Sequence, residues 1–276
     1  MEEAPARPGN DEGRVPDGID TSVAHQARVY DYWLGGKDNF AVDREAAELA
    51  LAAYPGLRRG VRMQRAFLTN VVRYLAATAG IRQFLDVGTG IPTASNTHEV
   101  AQAVASDARI VYADNDPMVL AHARALLTST PEGATTYLDC DLRDTEKLLR
   151  GAAGLLDFSQ PLALLLIGVL QLIPDENDPH AIVAQLVEAV PPGSWMAVFH
   201  PASDILPEQS HEAARRVSAR SATTTTLRSR EQVLRFFDDL ELLEPGVVQV
   251  HRWQPGSATP DDGEQVSGWA GLARKR

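Results

Sequence analysis

Gln83-Phe84-Leu85-Asp86-Val87-Gly88-Thr89-Gly90-Ile91-Pro92 decides the fold. An apolar run with an acid near its end leads into two glycines one residue apart. This is the pattern of a strand that stops in a tight turn beside a nucleotide. Asp86 stands two residues before Gly88, where a dinucleotide fold usually carries an apolar side chain. A carboxylate there suits a ligand bearing a cation and suits a pyrophosphate poorly. The third glycine of G-x-G-x-x-G is absent, because Thr93 falls in its place.

Downstream of this turn the chain alternates. Strands are expected at 83–87, 109–113, 135–138, 162–167 and 194–199, and helices at 97–105, 117–127, 144–149 and 178–190. Such a rhythm predicts a parallel sheet with helices on both faces. Helices are then expected at 207–219 and 230–239, and strands at 240–243, 247–253 and 266–273, so a terminal antiparallel hairpin fits. Upstream, about 80 residues of helical pattern precede the first strand. Asp20-Thr21-Ser22 reads as a helix N-cap, with Val23, Ala27, Tyr30 and Leu34 on one face, and Gly35-Gly36 as the stop. Further helices are expected at 43–53 and 59–78. The expected organisation is a disordered tail at 1–18, a helical cap at 19–80 and a ligand-binding domain at 81–276.

Composition narrows the function. The net charge of −11 argues against a general nucleic-acid surface. The lone Cys140 excludes an internal disulfide and leads us to expect a reducing cytoplasm. No apolar stretch reaches the roughly 18 residues of a membrane span, and Glu2 and Glu3 occupy the place of a signal peptide's positive charge.

Ligands of Rossmann-like sheets sit at the carboxyl ends of the strands, and each expected strand end here offers a suitable group. Gly88 and Gly90, with Thr89 between them, let the backbone come close to the ligand. Asp114 and Asn115 follow the second strand, Asp114 being 24 residues beyond Gly90. Asp114 suits a ribose and Asp116 an N-cap for the helix at Pro117. After the third strand, Asp141 suits an adenine amino group and Leu142 its ring. Gly168, after the fourth, lets the chain pass beside the rest of the ligand. His200 ends the fifth strand and is read as structural in preference to a base. No G-x-S-x-G elbow, Walker loop or zinc-protease helix is present.

These blocks resemble the class I S-adenosylmethionine (SAM)-dependent methyltransferases. A closer resemblance is to an actinobacterial S-adenosyl methyltransferase family. It is carried by Ala27-Arg28-Val29-Tyr30-Asp31-Tyr32-Trp33-Leu34-Gly35-Gly36-Lys37-Asp38-Asn39-Phe40, by residues 82–93 and 111–122, and by residues 244–253. The resemblance implies an α/β, Rossmann-like fold. Its seven-stranded sheet would have six parallel strands, an antiparallel C-terminal strand and a helical N-terminal cap. It also implies SAM as cofactor and methyl transfer to an acceptor, in our reading a small molecule. Many class I members carry a histidine where Gln171 stands. The segment from Tyr30 to Phe40 is expected to close over the cofactor, with Tyr32, Lys37 and Asn39 as donors and Arg62 and Arg65 as rivals for the cofactor's carboxylate. A non-catalytic SAM-binding regulator and an NAD(P)-dependent oxidoreductase are the alternatives.

Overall fold

Strands β1 (Gln83–Val87) and β4 (Ala163–Ile167) are buried at every position. That is why β4 reads as an unbroken apolar run and β1 shows no alternation, its Gln83 and Asp86 being buried like the rest: a parallel sheet covered on both faces has no wet side to alternate with. β2 (Arg109–Asp114), β3 (Ala134–Asp139) and β5 (Trp195–Pro201) run parallel to them in the order β3-β2-β1-β4-β5. The chain order therefore reverses between β1 and β4, the point at which such sheets open a crevice. A computed structural model describes residues 20–93, 95–126, 128–258 and 264–276. The expected tail at 1–18 and residues 259–263 of the last loop lie outside the described residues.

Beyond β5 the sheet changes sense. The last strand, β10 (Gly268–Lys275), inserts antiparallel between β5 and β6 (Leu240–Leu242). The main order thus contains six strands of one direction and one of the other, as anticipated. A two-residue strand, β7 (Val248–Gln249), also pairs with β10. The strand expected over 247–253 is not continuous: a 3-10 turn at Val250–Arg252 breaks it, and β8 (Trp253–Gln254) turns away to pair with β9 (Ser257–Ala258). That turn buries Val250 in the core beside Trp253, and burial there outweighs the run's β-propensity.

Helix α3 (Leu57–Ala77) covers one face of the sheet. Its Phe67, Leu68, Val71, Val72 and Leu75 pack on Phe84, Ile110 and Leu165. On the other face, α6 (Thr145–Ala152) and α7 (Pro179–Ala189) bring Leu148, Ile182 and Leu186 against Leu85, Val111 and Leu164. Of the expected cap at 19–80, α3 therefore shares the sheet's core. Helices α1 (Gln26–Leu34) and α2 (Ala41–Ala53) form a separate cluster with α8 (Pro207–Ser218), around Val29, Ala46, Ala50, Ala213 and Val217.

The N-cap expected at Asp20-Thr21-Ser22 is not one. Asp20 instead closes a local turn on Ser22, and the Ala24 N–H donates to the carbonyl of Arg220, which draws the chain out straight. The first helix starts at Gln26 with His25 as its cap. The helix expected over 230–239 is α9 (Arg230–Leu234) followed by a 3-10 turn. Among the described residues no helix is long and apolar enough to cross a membrane.

Candidate active site

An open cleft lies at the carboxyl ends of β1 to β4. It is lined by Asp86, Gly88, Thr89, Gly90, Asp114, Asn115, Asp141, Leu142 and Gly168, so nine of the residues selected from sequence meet in one place. Two glycines shape it. Gly88 has φ 71°, and a Cβ added there would fall 2.4 Å from Val169 side-chain atoms. Gly168 has φ 82°, and its Cβ would fall 2.4 Å from Nε2 of Gln64. In both places the backbone runs close to a wall that leaves no room for a side chain.

Three carboxylates enter the cleft, each held differently. Asp86 is buried, and its Oδ2 accepts from the Thr97 hydroxyl at 2.6 Å. Burial pushes its carboxyl up to about 6, although the Thr97 bond works the other way. Asp114 accepts from the Gly90 N–H at 2.9 Å and the Asp116 N–H at 3.0 Å, which ties the glycine turn to the end of β2. Its carboxyl is also raised by burial, against the pull of those two amides. Asp116 caps helix α5 (Pro117–Leu126) through the Met118 N–H, as its position implied, and faces His25 Nδ1 at 2.8 Å. Asp141 is held below the usual carboxylate range, chiefly by hydrogen bonds from Arg143. Its Oδ1 accepts from the Arg143 N–H and Nε, and its Oδ2 from Arg143 Nη2 and from Asn115 Nδ2.

The cap closes one side of the cleft with His25, Gln26, Ala27, Tyr30 and Trp33. Tyr32 and Asn39, the donors chosen from sequence, point elsewhere. The Tyr32 hydroxyl donates to Glu48 at 2.6 Å, and Arg58 lies over its ring. Asn39 is buried and donates to Asp31 Oδ2 at 2.8 Å. The Asp38 N–H shares the same oxygen, so the segment after Gly36 folds back on Asp31 rather than over the cleft. Lys37 and Arg62 do not line the cleft; Arg65 does, and donates to the carbonyl of Ser95 at 3.1 Å.

A model of the S-adenosyl methyltransferase family matches residues 12–276. The chain belongs to that family. A DUF574 family protein from Streptomyces avermitilis MA-4680 is 42% identical, with a TM-score of 0.88 over 93% of this chain and 99% of that one. A candidate methyltransferase from Thermobifida fusca YX is 41% identical, with a TM-score of 0.86 over 95% and 98%. A SAM-dependent methyltransferase from Anabaena variabilis ATCC 29413 is 13% identical with a TM-score of 0.51, over 94% of this chain and 99% of that one, and shares the fold alone. A search of curated proteins finds no match.

In this S-adenosyl methyltransferase SAM is the methyl donor, and the cleft has the chemistry to hold it. Glycine backbone makes a close cradle, and carboxylates stand at three separated points along it. Gln64 and Arg143 were not selected from sequence. A signal existed for Gln64: it sits on the apolar stripe of α3 between Val61 and Leu68, and donates to the carbonyl of Ile167 at 3.2 Å. A polar residue on a buried face needs a partner. Arg143 follows Asp141 by two residues, and nothing in that spacing separates it from a solvated arginine. His200 is structural, as read. It is fully buried, receives Arg228 Nη1 at Nε2 (2.8 Å), and burial depresses its imidazole to about 3.

Proposed function

We propose that the cleft holds SAM along the strand ends, and that the protein transfers its methyl group to a small-molecule acceptor. In this reading Asp86 receives the ammonium of the methionine end, beside Gly88, Thr89 and Gly90. Asp114 receives the ribose hydroxyls. Each of its oxygens accepts one backbone amide and keeps a lone pair for a hydroxyl. Leu142 packs on the adenine ring, and Asp141 accepts from the adenine amino group. All four lone pairs of Asp141 are already engaged, so the amino group takes the place of the exposed Arg143 Nη2. Gly168 leaves room for the methionine chain. A cytoplasmic setting belongs to the same proposal, supported by the lone Cys140.

When bound, SAM supplies a methyl group on a sulfonium, which leaves as a neutral thioether. The protein's work is to orient donor and acceptor in line and to exclude water. Helix α1 serves as the cap that closes one side of the cleft. The observation that carries this reading is convergence: residues from four strand ends, distant in sequence, line one cleft. Calorimetric titration with S-adenosylhomocysteine (SAH) and with NAD is the test. We expect saturable SAH binding and none of comparable strength for NAD. Tighter NAD binding would overturn the assignment.

A further inference from the structure

Helix α1 meets the sheet at His25, which stands just outside the block beginning at Ala27. Its backbone N–H donates to the buried Asp43 at 2.9 Å, which pins the residue to the cap. Its side chain reaches the other way, and Nδ1 stands 2.8 Å from Oδ2 of Asp116, just beyond the end of β2. His25 is thus held from both sides. Even so, its side chain is 33% exposed, against 5% for Asp116. It lines the cofactor cleft together with Asp114 and Asn115.

The contact with Asp116 decides which ring nitrogen carries a proton. Asp116 Oδ2 is buried, and His25 is the group that meets it. A bare nitrogen lone pair 2.8 Å from a carboxylate oxygen would repel it, so Nδ1 carries the proton. The Ala27 N–H also approaches Nδ1, but at 3.4 Å, and the shorter contact decides. Burial pushes the Asp116 carboxyl up, and His25 does most to outweigh it and hold it below the usual range. Burial likewise raises the Asp114 carboxyl, and the same imidazole pulls against that rise. The ring therefore lies within electrostatic reach of both acids. Nε2 is left over. Among the described residues no protein group bonds to it, and the side-chain polar atoms that are both buried and unpartnered lie elsewhere. Nε2 is open to a ligand.

We propose that His25 is the cap's own contact with the cofactor, and that its Nε2 shares the ribose hydroxyls with Asp114. The inference rests on the cofactor placement proposed above. The chemistry of the groups matches. A ribose presents two hydroxyls, each able to donate or accept, whereas ionised Asp114 only accepts. With a neutral ring, one hydroxyl donates to Nε2 and the other to Asp114. With a charged ring, the Nε2 N–H donates to a hydroxyl that itself donates to Asp114. The bond survives in either state. His25 then selects a ribonucleoside over its deoxy form, and ties cofactor binding to the seating of α1 against Asp116.

The test is calorimetric, on the full chain, with SAH, methylthioadenosine, and methylthioadenosine stripped of both ribose hydroxyls. His25→Phe should weaken SAH and methylthioadenosine about three-fold to ten-fold, the range of one hydrogen bond. The stripped ligand offers Nε2 nothing to hold, and should bind wild type and His25→Phe within about two-fold of each other. Two further variants separate the ribose contact from the Asp116 contact. The amide of asparagine reaches the place of Nδ1, and that of glutamine the place of Nε2; both can donate and accept. His25→Asn should therefore keep Asp116 and lose the ribose, matching His25→Phe. His25→Gln should return SAH to within about two-fold of wild type. Equal weakening of all three ligands in His25→Phe, or rescue by Asn rather than Gln, means that the residue only fastens α1, and overturns the inference. Unchanged affinity in a folded His25→Phe does the same. In each case the cofactor placement stands as long as Asp114→Ala still weakens SAH. Failure of the wild type to bind SAH overturns both.

Discussion

Asp86 should give the protein a pH dependence of defined sign. Its folded pKa, about 6, lies above the ordinary 3.8 because burial disfavours the charge. Folding therefore favours the protonated form. The ionised group costs stability above about pH 6, and that cost disappears as pH falls toward 4, where folded and unfolded chains are both protonated. Ligand-free Asp86→Asn should accordingly melt higher than wild type at pH 8, with the gain shrinking as pH falls from 6 to 4. In the proposed placement binding runs the other way, because the ammonium of SAH then needs the carboxylate. SAH affinity should fall below pH 6 and should suffer in Asp86→Asn, while methylthioadenosine, which lacks the ammonium, is spared. Calorimetry with both ligands decides it; equal losses would mean that Asp86 only supports the turn. Asp114→Ala should weaken SAH by about 1.5–3 kcal/mol, the range for a charged hydrogen bond. A folded variant with unchanged affinity would remove Asp114 from the ribose site. That both acids would line the cleft was legible, because place in a strand-turn pattern decides it. The engagement of Asp141 by Arg143 was not, since side-chain pairing on an exposed loop leaves no periodic trace.

At the level of elements, the segment from Arg28 to Asp43 shows where sequence reading stops. Gly35 was legible as a helix stop, and it adopts the left-handed C-cap at φ 89°. The polar residues beyond it suggested donors for a ligand. Asp38 and Asn39 instead pack into a closed knot. Arg28 and Asp43, both buried, pair through Nε at 3.0 Å, while Asp31 gathers the Asp38 N–H and Asn39 Nδ2. Which of two polar groups a buried carboxylate selects is a tertiary outcome. Gly36 is fixed by the same knot, since an added Cβ would lie 1.9 Å from Asp31 Oδ1. Gly36→Ala should therefore lower stability by about 2 kcal/mol in urea titration; an unchanged midpoint would show that the loop yields freely. A second clamp holds the segment after β4. The buried Arg228 donates to the carbonyls of Leu170 and Ile173 and to Asp175. Asp175 is 65% exposed, so it stays hydrated when Arg228 is removed. The loss then comes from the two carbonyls and from the buried His200 Nε2, which also loses its donor, and Arg228→Leu should cost about 3 kcal/mol or more. It should also weaken SAH, because Gln171, Leu172 and Ile173 line the cleft. A destabilised variant with wild-type SAH affinity would show that the clamp serves folding alone.

For the whole molecule, the parallel half of the sheet could be read from runs and turns, and the antiparallel β10 from the broken rhythm after β5. The partition of the N-terminal helices could not. Periodicity shows that a helix has an apolar face but not which surface receives it. α3 went to the sheet, while α1 and α2 went to α8. The cleft therefore has one wall from the sheet and another from α1, and binding of SAH in the proposed placement should couple them. SAH at about 100 times its Kd should add about 2.7 kcal/mol to the stability of the full chain. For a domain of this size that is a rise of roughly 5–10 °C in Tm. Removing residues 1–18 should leave both Tm and the SAH shift as they are. Removing residues 1–40 deletes α1 together with His25, Gln26, Tyr30 and Trp33 of the cleft and uncovers the apolar faces of α2 and α8. That chain should melt lower and lose most of the SAH shift. Hydrogen exchange on the full chain gives the local counterpart: SAH should slow exchange across residues 25–33, several of whose side chains line the cleft, because ligand contacts oppose local opening there. If the 41–276 chain keeps the full SAH shift, α1 is no part of the cofactor wall, and its place is with the acceptor or a protein partner.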